Sequence, residues 1–93
     1  MISGHYAAAA NSVVFPHRHE VCVVAAFNPK GDIRIDAWGI EFSGKRFRYK
    51  VETAKLIEEV HAYLKFRCAY IEFGLLKSVD LVFFPWEHRW ETG

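Results

Sequence analysis

Short apolar stretches recur along the chain, and several alternate with polar positions every second residue. Val21 to Phe27 is nearly continuous apolar sequence, preceded by Glu20 and followed by Asn28-Pro29-Lys30-Gly31-Asp32. A β-branched run that ends in turn residues reads as a strand buried on both faces. Pro presets φ and Gly accepts positive φ, so the pattern predicts a chain reversal into a hairpin. In the partner strand, Ile33 to Phe42, Ile33, Ile35 and Ala37 alternate with Arg34 and Asp36, and then Trp38, Ile40 and Phe42 take over the apolar phase. That change beside Gly39 predicts a bulge or bend over 37–39. After Ser43-Gly44, the stretch Lys45 to Val51 sets Phe47, Tyr49 and Val51 on one face and Arg46, Arg48 and Lys50 on the other, as a half-buried strand does.

The period then changes. Thr53 suits a helix N-cap, and Leu56, Ile57, Val60, Tyr63 and Leu64 follow helical spacing opposite Lys55, Glu58, Glu59 and Ala62. This predicts a helix over 54–64. Strand character returns over 66–73 and again over 79–84, where Pro85 limits it; 86–90 reads as an edge continuing after a bulge. Residues 1–19 keep no steady period and read as a flexible segment or an added edge strand ahead of a single domain over 20–93. The expected class is α+β: a curved, mainly antiparallel five-stranded sheet in the order β-β-β-α-β-β with one helix, able to curl toward a small open barrel. The strands 21–27 and 79–84 are apolar on both faces, which one helix cannot cover. A second layer must come from barrel closure, from the N-terminal segment or from another subunit, and a homodimer is the expected partner arrangement.

Composition narrows the function. At 93 residues the chain is one domain, too short for a Rossmann unit, an eightfold βα barrel or a kinase. With 52% hydrophobic and 25% charged residues it is an ordinary globular composition, without a membrane-length apolar run or a signal-peptide pattern. The net charge of +1 does not mark a generally basic nucleic-acid binder, yet residues 45–50 hold four basic groups and no acidic one. The two cysteines, Cys22 and Cys68, are fewer than a small secreted disulfide framework uses, so buried reduced thiols and a cytoplasmic location are expected.

Candidate chemistry is sparse. His17, His19 and Cys22 lie close in sequence, but a structural zinc site wants four ligands in spaced pairs, and no metal or cofactor is expected. Cys68 and His61 lack a motif that would activate a thiol, and Glu58 and Glu59 diverge as helix neighbours. The chain therefore reads as no enzyme. Trp86, Arg89 and Trp90 have a common interface composition and are candidates for protein docking or self-association. Arg46, Arg48 and Lys50, spaced about 6.6–7 Å apart along one strand face, are the alternative: an anion or nucleic-acid surface. Phe47 and Tyr49 point away from that row, which leaves it without stacking platforms.

Residues 21–51 also resemble a small, uncharacterised β-rich bacterial domain of the Firmicutes type. The resemblance is carried by Val23-Val24-Ala25-Ala26-Phe27, Lys30-Gly31-Asp32-Ile33 and Ile40-Glu41-Phe42-Ser43-Gly44-Lys45-Arg46-Phe47-Arg48-Tyr49. It implies a small curled β-sheet; no activity and no functional residue comes with it.

Overall fold

The computed structural model describes residues 9–15, 20–27, 33–40 and 43–93, and every regular element among them is a strand. These are β1 (Ala9–Val14), β2 (Glu20–Phe27), β3 (Ile33–Ile40), β4 (Arg46–Glu59), β5 (Leu64–Glu72), β6 (Leu75–Phe84) and β7 (Arg89–Thr92). They form one seven-stranded sheet in sequence order, each strand antiparallel to the next. The protein is all-β, and the expected α+β class with five strands and a helix is overturned. The expected turn over 28–32, with Glu41, Phe42, His5, His17 and His19, lies outside the described residues.

The 54–64 helix is replaced by the second half of β4, which pairs with β5 from Lys50↔Ile71 to Glu59↔Leu64. Two register shifts, between Val51 and Thr53 and between Leu56 and Glu58, each insert one extra residue. Such bulges reset the period-two phase. Across from the core residues Tyr70 and Cys68 stand Val51 and Ala54, half-buried against the core, while beyond them Leu56 and Glu59, opposite Phe66 and Leu64, are exposed. The apolar residues that suggested a helix, Leu56, Ile57 and Val60, are exposed on this stretch rather than buried on one face, so their helical spacing marks no core stripe.

The bulge expected over 37–39 is also absent. β2 and β3 pair without a register shift from Glu20↔Ile40 to Phe27↔Ile33. Ile35, Ala37 and Gly39 point inward, so Trp38 and Ile40 belong to the outer face. Gly39 is an interior position whose side-chain space is already filled: a Cβ there would stand 2.1 Å from Cζ of Phe47.

With seven antiparallel strands, β1 and β7 run in the same direction where the sheet curls back on itself. Among the described residues no ladder joins them. Instead Asn11 bridges the gap: its Oδ1 accepts from the Trp90 backbone N–H at 2.8 Å, and its Nδ2 donates to the Trp90 carbonyl at 3.0 Å. A side-chain amide thus stands in for a strand's peptide group and nearly closes the barrel. Segment 9–15 belongs to this barrel, with Val13 and Phe15 in its core. Closure, together with β1, supplies the second layer that the apolar strands required.

The interior has two ends. One is apolar, with Phe27, Phe66, Phe83 and Trp90 in mutual ring contact. The other holds Phe15, Tyr49 and Tyr70 around the buried Glu72. The Tyr49 hydroxyl donates to Glu72 Oε2 at 2.8 Å, and Lys77 Nζ donates to Oε1 at 2.9 Å, so the buried carboxylate is satisfied. Burial first, and then the Glu72 carboxylate, hold the Tyr49 hydroxyl well above its ordinary pKa.

Candidate nucleic-acid interface

The cross-strand register determines which outward residues meet. Among the described residues β3 and β4 pair over Ala37↔Tyr49, Trp38↔Arg48, Gly39↔Phe47 and Ile40↔Arg46. On the outer face this sets Trp38 directly across from Arg48, with Cys22 on its other flank. The Arg48 guanidinium lies 5.5 Å from the centre of the Trp38 ring, a cation–π arrangement. Arg46, Arg48 and Lys50 are all exposed along β4. The aromatic partner missing from the reading of β4 alone is therefore supplied by β3. Strict period two from Ile33 through Ile40 would have placed Trp38 outside; the Gly at position 39 hid that signal.

The electrostatics of this face are loose. Asp36 stands 3.6 Å from Arg34 and 3.9 Å from Arg48, with Arg side chains 78% and 61% exposed, and Lys50 lies 3.2 Å from Glu52. Exposed pairs of this kind contribute about 0–1 kcal/mol, so a phosphate can displace the carboxylates. Lys45 and Arg46 have no ion pair among the described residues. The thiol of Cys22 is half-buried and lies 3.5 Å from Ser12 Oγ.

Below Tyr49 the two strands part. β4 turns to pair with β5, while among the described residues Ile33–Asp36 of β3 has no ladder partner on the β4 side. The resulting seam encloses a half-open cavity of about 380 Å³. Its lining includes Ile35, Tyr49 and Val51, with Arg34, Arg48 and Lys50 also on its walls.

The other sequence candidates are dispersed. Trp90 is 2% exposed and packs between Phe66 and Phe83 inside the barrel. Trp86 is 74% exposed on the β6–β7 turn, where its Nε1 donates to the His61 carbonyl at 3.2 Å. Arg89 lies over the Phe84 ring at 4.1 Å and is bound to Glu87 and Glu91. Trp86, Arg89 and Trp90 thus do not present one common surface.

Cys68 is buried, and burial, reinforced by Asp80, pushes its thiol up to about 12. At neutral pH it is a poor nucleophile. His61 instead lies tilted against the Trp86 ring on the surface, with centroids 5.6 Å apart. Glu58 accepts from the Tyr63 hydroxyl. No group of three or more metal-ligating side chains forms among the described residues, nor does any helix long and apolar enough to cross a membrane.

These features define a class: an all-β, nearly closed barrel with a basic, tryptophan-bearing outer face. The chain matches no family model, no curated protein and no solved structure.

Proposed function

We propose that this protein is a non-enzymatic binding module that holds single-stranded nucleic acid on the outer face of β2–β4. The observation that carries the reading is the pairing of Trp38 with Arg48 within the basic row Arg46, Arg48 and Lys50. Single-strand binders combine cations that follow the backbone with aromatic rings on which bases stack. Here both lie on one face, and period-two spacing fits successive phosphates. Two free cysteines agree with a cytoplasmic location.

Titration with short single-stranded and duplex oligonucleotides tests the reading. Tryptophan fluorescence should change on adding single strands, with weaker binding to duplex. Equal affinity for both forms, or no binding, overturns it.

A second reading, self-association as a homodimer or docking of a protein partner, draws on a different surface. The β5–β6 turn exposes Phe73 (86%), Leu75 (62%) and Leu76 (68%). Phe73 and Gly74 take φ of 51° and 75°, the type I′ pattern that normally carries Asn-Gly. An aromatic residue held there costs about 1–2 kcal/mol of backbone strain and leaves apolar surface in water. Light scattering on the intact protein should then find a dimer that Phe73→Ser returns to monomer. A wild-type monomer at high concentration removes this reading.

A further inference from the structure

Where the bound strand crosses from β3 to β4, it passes over the seam, and we infer that this cavity takes up one nucleotide and reads its base, favouring bases that carry an exocyclic amino group. The inference rests on the single-strand reading above and adds a specificity to it.

Three observations lead there. First, the space is right for one unit: about 380 Å³ sits at the small end of ligand pockets, which run roughly 300–1,000 Å³. It holds one nucleotide and not a run of them. Second, the cavity is amphipathic in the way a nucleotide is. Ile35 and Tyr49 are buried and give it an apolar side, suited to the flat face of a base. Arg34, Arg48 and Lys50 bring positive charge to the same lining, suited to the phosphate. Third, the seam offers hydrogen-bonding groups without a fixed use. Among the described residues the β4-facing edge of Ile33–Asp36 has no ladder partner, and such edges are templates for new pairing.

Two carboxylates, Asp36 and Glu52, belong to the same lining. They repel phosphate, so they serve a purely electrostatic anion site badly. They serve a base-reading site well, because a carboxylate accepts from an exocyclic amino group, as acidic side chains do with the cytosine amine. Uracil and thymine present a carbonyl at the corresponding place and would be disfavoured. The geometry therefore assigns the cations of the seam to the phosphate and Asp36 to the amino group. The loose contacts of Asp36, at 3.6 and 3.9 Å, leave it available for that exchange.

The test is a backbone-amide NMR titration of the full chain with cytidine monophosphate, uridine monophosphate and inorganic phosphate, beside the oligonucleotide titration. Cytidine monophosphate should shift the amides of Ile33–Asp36 and Lys50–Ala54 and bind about tenfold more tightly than the uridine form. Asp36→Ala should erase that ratio, and the wild-type shift map decides the matter if the variant folds poorly. Equal affinities, or shifts confined to Trp38 and Arg48 while oligonucleotide still binds, overturn the seam and leave the single-strand face intact. Inorganic phosphate that binds as tightly as cytidine monophosphate also overturns it, as an anion site only. Loss of all oligonucleotide binding overturns both readings together. An acidic peptide that shifts the seam amides where nucleotides do not would assign the cavity to a different partner class and overturn it too.

Discussion

Two outer faces of one barrel carry similar numbers of charged residues and handle them differently. On β5–β7 the arginines are matched. Arg67 grips Asp80 with two parallel bonds of 2.9 and 3.0 Å, and Arg89 binds both Glu87 and Glu91 while covering the Phe84 ring. On β3–β4 Lys50 meets Glu52 at 3.2 Å, but the arginines are held more loosely. Arg34 and Arg48 share one carboxylate beyond hydrogen-bond distance, and Lys45 and Arg46 have no ion pair among the described residues. Fork-to-fork pairs are pre-empted by their own partners, whereas loose exposed cations gain most from an arriving phosphate. Total charge, +1 for the chain, therefore says little about binding. How each cation is already engaged says more.

The largest expected effect separates a structural tryptophan from a surface one. Trp90→Ala should lower stability by about 3–5 kcal/mol, as large-to-small changes in a packed core do. Trp86→Ala should stay within about 0.5 kcal/mol. Denaturant unfolding of both variants checks this, and similar losses in the two would mean that Trp90 does not anchor the barrel interior.

Next comes charge reversal on each face. Arg46→Glu with Arg48→Glu should cost single-strand affinity on the order of a hundredfold and reduce the salt slope by about 1.4, since each of the two phosphates they neutralise contributes ~0.7. Arg67→Glu, on the matched face, should leave oligonucleotide affinity nearly unchanged. Equal losses from both faces would dissolve the comparison.

Smaller is the stacking platform. Trp38→Ala should weaken single-strand binding by about 5- to 150-fold, the range for one base–aromatic stack, without changing the salt slope. Fluorescence anisotropy with a labelled oligonucleotide measures both quantities.

The smallest effect concerns pH. The hydrogen bond from Arg67, with its charge, holds the Asp80 carboxyl below the usual carboxylate range. A depressed carboxylate stabilises the fold above its unfolded pKa, and that contribution is lost as pH falls through the lower folded value. Asp80→Asn should therefore flatten stability against pH only on the acid side of about pH 4. Thermal unfolding over an acid pH series reads it, with a modest change because the pair is partly exposed.

Strands β2, β3, β5 and β6 stand in the residue pattern itself, as apolar or alternating runs bounded by turn residues, and β2–β3 and β5–β6 pair with no register shift. What the pattern hid has specific causes. The second half of β4 looks helical because Leu56, Ile57 and Val60 fall at helical spacing, yet they stand exposed on a bulged strand. Trp38 looks like a core residue because Gly39, its inward neighbour, has no side chain to mark the inner face, and Phe47 fills that space from the next strand. Trp90 looks like an edge residue because closure depends on Asn11, a polar side chain 79 positions away. The basic half of the candidate site was legible, since Arg46, Arg48 and Lys50 repeat every second residue. The tryptophan and the seam were not, since both arise from pairing between strands and from where that pairing stops.

Whether loosely engaged cations beside Trp38 hold a single strand is decided by one salt series. The affinity of the wild-type protein for a short single-stranded oligonucleotide is measured at each salt concentration, with the Arg46→Glu, Arg48→Glu variant alongside. A log–log slope of about −2 to −3 is expected for the wild type, from three or four phosphates at ~0.7 each, and a clearly flatter line for the variant. A wild-type affinity indifferent to salt, or a variant that binds as the wild type does, would contradict a binding face built on those cations.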